Sequence, residues 1–228
     1  MSSIKSKKVI WDDLIANNTS KLLINSGAYK FNFVEDKNEW YKWKSGIIAP
    51  TYCDCRNLAS SFEFYSEIAT SFAKLIKKEF PDVELIAGIA SSGIIWASLV
   101  SNLLKLPFCF ARERLKSHGI GKHVYCSPKA RVKAVIIDDL CASGDSLKNT
   151  AIYLRDEFEI ETIGCVSVVN WGFVKMWNNL SSINITKVFS LTSYDNLINV
   201  ALEQSIITEN QRDQLHEFYL SPSEFVWQ

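Results

Sequence analysis

Arg131-Val-Lys-Ala-Val-Ile-Ile-Asp-Asp-Leu-Cys-Ala-Ser-Gly-Asp-Ser-Leu147 is the stretch whose reading decides the fold. Its β-branched run, Val135, Ile136 and Ile137, reads as a strand buried on both faces of a parallel sheet. Two adjacent acids, Asp138 and Asp139, stand at the carboxyl end of that strand, and a small-residue loop through Ala142, Ser143 and Gly144 follows. From Ser146 the chain can run as a helix. In open α/β sheets ligands bind outside the carboxyl ends of the strands. The backbone N–H groups of a loop that opens onto a helix N-terminus suit a phosphate. Two carboxylates beside it suit hydroxyls or a bound magnesium ion. Together these features describe a sugar phosphate held at both ends. The bland alternative is a plain corner of a doubly wound domain, which has the same strand, acid, loop and helix. Neither Gly-x-x-x-x-Gly-Lys-Ser/Thr nor Gly-x-Gly-x-x-Gly occurs, so the nucleotide fingerprints do not compete.

Working outward, the pattern on both sides is βαβ. Upstream, Val83 to Ala87 reads as a strand, Ile94 to Leu104 as a helix and Phe108 to Ala111 as a strand. Downstream come a strand over Thr162 to Val169, a helix over Phe173 to Leu180 and a strand over Lys187 to Ser190. Helices follow at Tyr194 to Glu203, capped by Ser193, and at Glu209 to Phe218. Phe62, Tyr65, Ala69, Phe72 and Ile76 recur at helical spacing, and Pro81 marks where that helix has ended. Nearer the start, Val9 to Ser26 reads as an amphipathic helix closed by Gly27, with Asn17 to Ser20 as a candidate interruption. Ala28 to Phe33 reads as a short strand. Trp40 to Gly46 and Ile47 to Cys53 read as an aromatic-rich hairpin turning at Ser45-Gly46, with Trp40, Trp43, Tyr52, Cys53 and Cys55 packing inside it. Residues 113–130 are polar and long for a connection in a compact domain, which marks them as functional if the flanking elements are right. The alternation implies a mostly parallel sheet with helices on both faces. The division expected is an N-terminal helix and hood hairpin over residues 1–60, and an α/β core with C-terminal helices over residues 61–228.

At 228 residues, 47% hydrophobic and 22% charged, the chain can bury a proper core. Its 25 basic and 25 acidic residues cancel, which argues against nonspecific binding to nucleic acid or to membrane surfaces. The polar start is not a signal peptide, and no apolar run is long enough to span a membrane. The six cysteines include no Cys-x-x-Cys pair and read as small buried hydrophobes of a reducing compartment. A cytoplasmic protein is expected.

The central stretch closely resembles the phosphoribosyl pyrophosphate signature of type I phosphoribosyltransferases: apolar strand, two acids, an apolar pair, then Thr/Ser/Ala-Thr/Ser-Gly-x-Ser/Thr. Further segments resemble the orotate phosphoribosyltransferases, in the same order. Lys44-Ser-Gly-Ile-Ile-Ala-Pro-Thr-Tyr-Cys-Asp-Cys-Arg56 is similar to that family's hairpin, Ser-Gly-x-x-x-Pro-x-Tyr-x-Asp-x-Arg. Ile86-Ala-Gly-Ile-Ala-Ser-Ser-Gly-Ile94 resembles its pyrophosphate-side loop. Arg112-Glu-Arg-Leu-Lys116-Ser-His118-Gly119 resembles its catalytic loop, Arg-x-x-x-Lys-x-His-Gly. The tail from Leu191 to Leu202 is similar to the last helical segment of bacterial members.

The resemblance implies a type I phosphoribosyltransferase fold, mostly parallel sheet flanked by helices with a small N-terminal hood. It implies transfer of a phosphoribosyl group from phosphoribosyl pyrophosphate to orotate, with Mg²⁺ carried in by the substrate rather than held by protein ligands. Lys116, His118, Asp138 and Asp139 would be catalytic. Lys44, Ser92, Arg112, Lys116, His118, Asp138, Asp139, Leu140, Cys141, Ala142, Ser143, Gly144, Asp145 and Ser146 would bind phosphoribosyl pyrophosphate. Arg56, Ala142 and Trp171 would meet orotate. A homodimer with shared active sites is implied, since in this family the Lys-x-His-Gly loop reaches across the interface. Outside the joint spacing, Arg112, Arg114 and Lys116 would read as an ordinary solvated loop and His118 as a surface histidine; His123 and His216 are left as such. The chain departs from the family in three places. Ala142 stands where Ser or Thr is usual, and Asn170-Trp171-Gly172-Phe173 stands where many members carry an arginine. Asp145 lies in the phosphate loop, where a carboxylate would repel a dianion unless turned outward. The alternatives are transfer to another base, or a weakly catalytic regulatory paralogue that binds phosphoribosyl ligands.

Overall fold

The computed structural model describes residues 9–43, 46–112, 123–126 and 131–221. Helix α1, Asp13–Asn25, starts later than its apolar pattern suggests. Val9 and Trp11 are drawn into backbone bonds with Ser190 instead (Ser190 N to Val9 O 2.8 Å, Trp11 N to Ser190 O 3.2 Å), and Asp12 caps the helix by accepting from Ile15 N–H at 2.9 Å. The polar run Asn17–Ser20 does not interrupt α1. Ser20 is buried and its hydroxyl meets that of Thr192 at 2.7 Å, so the polar group has a partner inside the core.

The expected hairpin is divided. Strand β1, Tyr29–Phe31, is followed by β2, Tyr41–Lys42, and β3, Ile48–Ala49, which pair with each other. Pro50 then breaks the run, because it has no N–H for the ladder. Beyond it β4, Thr51–Cys53, leaves the hairpin and pairs antiparallel with β1. Trp43 ties the two small sheets together by donating its indole N–H to the Thr51 carbonyl at 2.8 Å.

Apart from β7, the main body follows the expected order: α2, Phe62–Glu79; β5, Leu85–Ile89; α3, Ser92–Leu104; β6, Phe108–Ala111; β7, Val124–Tyr125; β8, Lys133–Cys141; α4, Asp145–Phe158; β9, Glu161–Asn170; α5, Val174–Ser181; β10, Val188–Ser193; α6, Tyr194–Glu203; and α7, Glu209–Leu220. Among the described residues these strands form a six-stranded sheet in the order β10-β9-β8-β5-β6-β7. Every pairing in it is parallel except that of β7, a two-residue edge strand within the long polar connection, which runs antiparallel to β6. The Ser193 hydroxyl caps α6 as expected, accepting from Asn196 N–H at 3.2 Å. One core on the sheet gathers Phe72, Trp96, Val135, Ile137, Val168 and Tyr194. The other gathers Ile89, Ile136, Leu154, Cys165, Met176 and Val188. The alternation of Val135, Ile136 and Ile137 between the two is what a strand covered on both faces requires.

Strand β8 runs on through both acids to Cys141, in register with Asn170 of β9. Gly93 lets α3 close on this end of β8. A Cβ there would lie 2.5 Å from the Ile137 carbonyl oxygen, too close for any side chain. None of the helices among the described residues is long and apolar enough to cross a membrane.

Candidate active site

Beyond the carboxyl ends of β5 and β8 lies a cavity of about 630 Å³. Its floor is the loop from Leu140 to Ser146. Gly144 has a left-handed backbone (φ 74°) that turns the chain into α4, and Lys148 N–H donates to its carbonyl at 2.9 Å. The first-turn residues Asp145, Ser146 and Leu147 line the cavity, which places a helix N-terminus there, an arrangement suited to an anion.

One wall carries the acids. Asp138 is buried and accepts from the Asp139 backbone N–H at 2.9 Å. Burial pushes the Asp139 carboxyl above its ordinary value, and hydrogen bonds from Asp138 and the Ser92 side chain oppose that shift. Carboxylates in such a place are poorly solvated and interact strongly with any hydroxyl brought to them.

The facing wall comes from the N-terminal sheets. Arg56 grips Asp54 with two bonds, Nε to Oδ1 at 2.6 Å and a terminal nitrogen to Oδ2 at 2.8 Å. The guanidinium holds the Asp54 carboxyl below the usual range and is itself shifted up by that partner. Trp171 donates its backbone N–H to the Cys141 carbonyl at 2.8 Å, which sets it level with the loop. Its ring is packed between Trp43 (4.4 Å between centroids) and Tyr194 (4.7 Å).

The structure brings Ser92, Asp138, Asp139, Leu140, Cys141, Ala142, Ser143, Gly144, Asp145, Ser146, Arg56 and Trp171 to this one cavity. Arg112 is not among the lining residues. Its guanidinium lies 5.7 Å and 5.5 Å from the rings of Phe110 and Tyr125, over the stacked pair that joins β6 to β7. Lys44, Lys116 and His118 lie outside the described residues. Trp43, Tyr52 and Asp54, not expected at the site, also line the cavity, as does Ile89–Ser91 of the segment that resembles the pyrophosphate-side loop. Tyr52, expected inside the hairpin, faces the site because β4 pairs with β1 rather than continuing β3. Tyr52 and Asp54 belong to the Lys44–Arg56 hairpin motif, which is their signal in the sequence. Trp43 is held locally by its bond to Thr51, but its contact with Trp171, far along the chain, has no signal in the sequence.

Asp145 stands at the loop with its charge met. Oδ2 accepts from the Ser143 hydroxyl at 2.6 Å and from Lys175 at 2.9 Å, and Oδ1 accepts from the Asn179 amide at 2.8 Å. These partners hold its carboxyl below the usual range, the Ser143 bond most of all.

A family model described as the phosphoribosyl transferase domain matches residues 56–176. The chain is 34% identical over 190 residues to an orotate phosphoribosyltransferase of Bacillus subtilis, covering 83% of this chain and 87% of that one. It is 36% identical over 201 residues to an orotate phosphoribosyltransferase of Malacoplasma penetrans, covering 88% and 94% respectively. Among solved structures, orotate phosphoribosyltransferase from Aeropyrum pernix shares the fold, with a TM-score of 0.69 at 19% identity over 83% of this chain and 99% of that one.

Proposed function

The chain belongs to the phosphoribosyl transferase family, among its orotate phosphoribosyltransferases, and on that premise we propose that it transfers the phosphoribosyl group of phosphoribosyl pyrophosphate to orotate, giving orotidylate and pyrophosphate in pyrimidine synthesis. The observation that carries this reading is the cavity's division of labour. A loop suited to phosphate and two acids suited to ribose hydroxyls share it with a wall of Arg56, Tyr52 and Trp171 suited to a planar, anionic base.

In the transfer, the bond from the ribose to the pyrophosphate oxygen breaks and a bond to the base nitrogen forms. Negative charge builds on the leaving group and positive charge on the sugar. Asp138 and Asp139 take the ribose hydroxyls and stabilise the positive charge. The N–H groups of the Ala142–Ser146 loop take the terminal phosphate. Arg56, whose guanidinium is already oriented by Asp54, meets the orotate carboxylate, with Ala142 and Trp171 beside the ring. Ser92 and Lys44 contact the pyrophosphate side. Arg112, Lys116 and His118 neutralise the departing pyrophosphate and exclude water on closing. A magnesium ion carried in by the substrate would supply further charge neutralisation on the pyrophosphate. The residues present fit such an ion: of the lining acids, Asp54 and Asp145 are engaged by Arg56 and Lys175, so Asp138 and Asp139 would be the carboxylates beside it.

The same reading takes residues 1–60 as a helix and hood over a core of residues 61–228. It takes the working form as a homodimer in which each subunit lends its Arg112–Gly119 loop to the other, and the cytoplasm as its place. Five of the six free thiols are buried, which suits a reducing compartment.

The test is spectrophotometric. Orotate loses its characteristic ultraviolet absorbance on conversion, and the loss should require both phosphoribosyl pyrophosphate and magnesium. Conversion of a different base in its place would reassign the substrate. No conversion of any base would point to a phosphoribosyl-ligand-binding paralogue.

A further inference from the structure

The phosphate loop carries an acid. Asp145 opens α4, where a carboxylate is favoured by the helix dipole but would oppose a phosphate dianion arriving at the same N–H groups. Helix α5 packs directly on the outer side of this loop: a Cβ on Gly144 would meet Met176 atoms at 3.1 Å and 3.3 Å. One turn of α5 then presents two donors. Lys175 lies 2.9 Å from Oδ2 of Asp145, and Asn179 donates both to Oδ1 at 2.8 Å and to the Ser143 carbonyl at 2.9 Å. Among the described residues, beyond the loop's own Ser143, the side chains that meet this carboxylate both come from α5.

We propose that Lys175 and Asn179 are positioning residues for the sugar phosphate: they turn the Asp145 carboxylate toward α5 and cancel its charge, so that a loop carrying an acid still accepts a dianion. This rests on the loop being the phosphate subsite. The side chains of Lys175 and Asp145 are 65% and 52% exposed, and an ion pair so solvated adds little to folding. Its consequence therefore falls on a charged ligand. Lys175 acts through Asp145 and not by touching phosphate, and that distinction is measurable.

The variants are Lys175→Met, Lys175→Arg, Asp145→Asn and the double variant Asp145→Asn/Lys175→Met. Each is tested at low ionic strength by calorimetric binding of ribose 5-phosphate and by steady-state kinetics. Lys175→Met should weaken ribose 5-phosphate and raise KM for phosphoribosyl pyrophosphate by roughly five- to tenfold, with kcat and KM for orotate held. The loss should shrink in high salt, and Lys175→Arg should restore binding. In the Asp145→Asn background the same lysine change should have no further effect, because no charge is left to cancel. Unchanged binding in Lys175→Met would overturn the proposal. So would an equal loss in both backgrounds, which would make Lys175 a direct phosphate ligand. Wild-type protein that fails to bind ribose 5-phosphate would overturn the reading of the loop itself. Wild-type protein that binds ribose 5-phosphate, with the expected losses in Lys175→Met, but does not convert orotate would support this inference and overturn orotate transfer.

Discussion

Asp138 and Asp139 are neighbours in sequence but differ in surroundings. Asp138 is buried, bonded to the next backbone N–H, while Asp139 shares the cavity wall with Ser92 and feels the charge of Arg56 across it. Replacing either by Asn keeps the shape and removes the charge. Each variant should lose about a hundredfold or more in kcat, as expected when a group stabilising transition-state charge is removed, while circular dichroism still reports a folded protein. Unfolded variants would make the acids structural. The pH dependence of stability follows from the direction of each shift. Burial raises Asp139, so between the unfolded carboxylate value, about 3.9, and its higher folded value the native state binds more protons than the unfolded chain. Stability from this group therefore falls as pH rises through that window. Asp54 runs the other way: Arg56 depresses it, so its contribution is present above the unfolded value and is lost as pH falls through the folded one. Thermal melts of Asp139→Asn and Asp54→Asn against wild type should show this opposition. On moving from acid to neutral pH, the Asp139→Asn variant should gain stability relative to wild type, and the Asp54→Asn variant should lose it. Parallel trends in the two would contradict the assignment of burial and pairing as the separate causes.

At the scale of elements, the contact between α3 and the sheet depends on missing side chains. Gly88 of β5 and Gly93 of α3 face each other, and a Cβ on either would lie within 2.8 Å of a backbone oxygen. Gly93→Ala would ordinarily gain up to about 1 kcal/mol of helix propensity. Here the methyl meets the Ile137 carbonyl, so a net loss of about 1–3 kcal/mol is expected, read from the urea midpoint, together with a fall in kcat as Ser92 is pushed away from Asp139. A stabilised Gly93→Ala variant would show that this packing has room for a methyl group. This contact was beyond reading from sequence, although the elements themselves were not. Apolar runs such as Val135–Ile137 and the helical spacing of Phe62 to Ile76 report burial on one element, and burial is local information. The floor of the site was legible for the same reason, since Asp138 to Ser146 is one contiguous segment. Lys175 and Asn179 sit four apart on a helix face, a pattern that an ordinary solvated face shares, and only the docking of α5 on Gly144 turns it toward the loop. Pro50 was visible in the hairpin, but what β4 pairs with instead depends on β1, about twenty residues earlier. The two-residue β7 is too short to carry any periodicity.

At the scale of the whole molecule, the chain holds most of a site and directs one candidate ligand away from it. Arg112 begins the segment that resembles a catalytic loop, yet its guanidinium is stacked over Phe110 and Tyr125 at the sheet edge, apart from the cavity of its own chain. A second copy related by a two-fold axis would accept such a loop and return its own, since an isologous interface makes every exchange reciprocal. The proposed exchange of loops predicts complementation. Lys116→Ala removes a charge from the lent loop, and Asp139→Asn removes one from the receiving cavity, so each homodimer should be nearly inactive. Mixing the two under conditions of subunit exchange yields a heterodimer in which one site has both defects and the other has neither. Activity per heterodimer should return to about half that of wild type. Native mass spectrometry measures the fraction of heterodimer, so recovered activity can be compared directly with its amount. Heterodimers that form and remain inactive would mean that each loop serves its own subunit, and Arg112 would then have to leave its aromatic seat to act there.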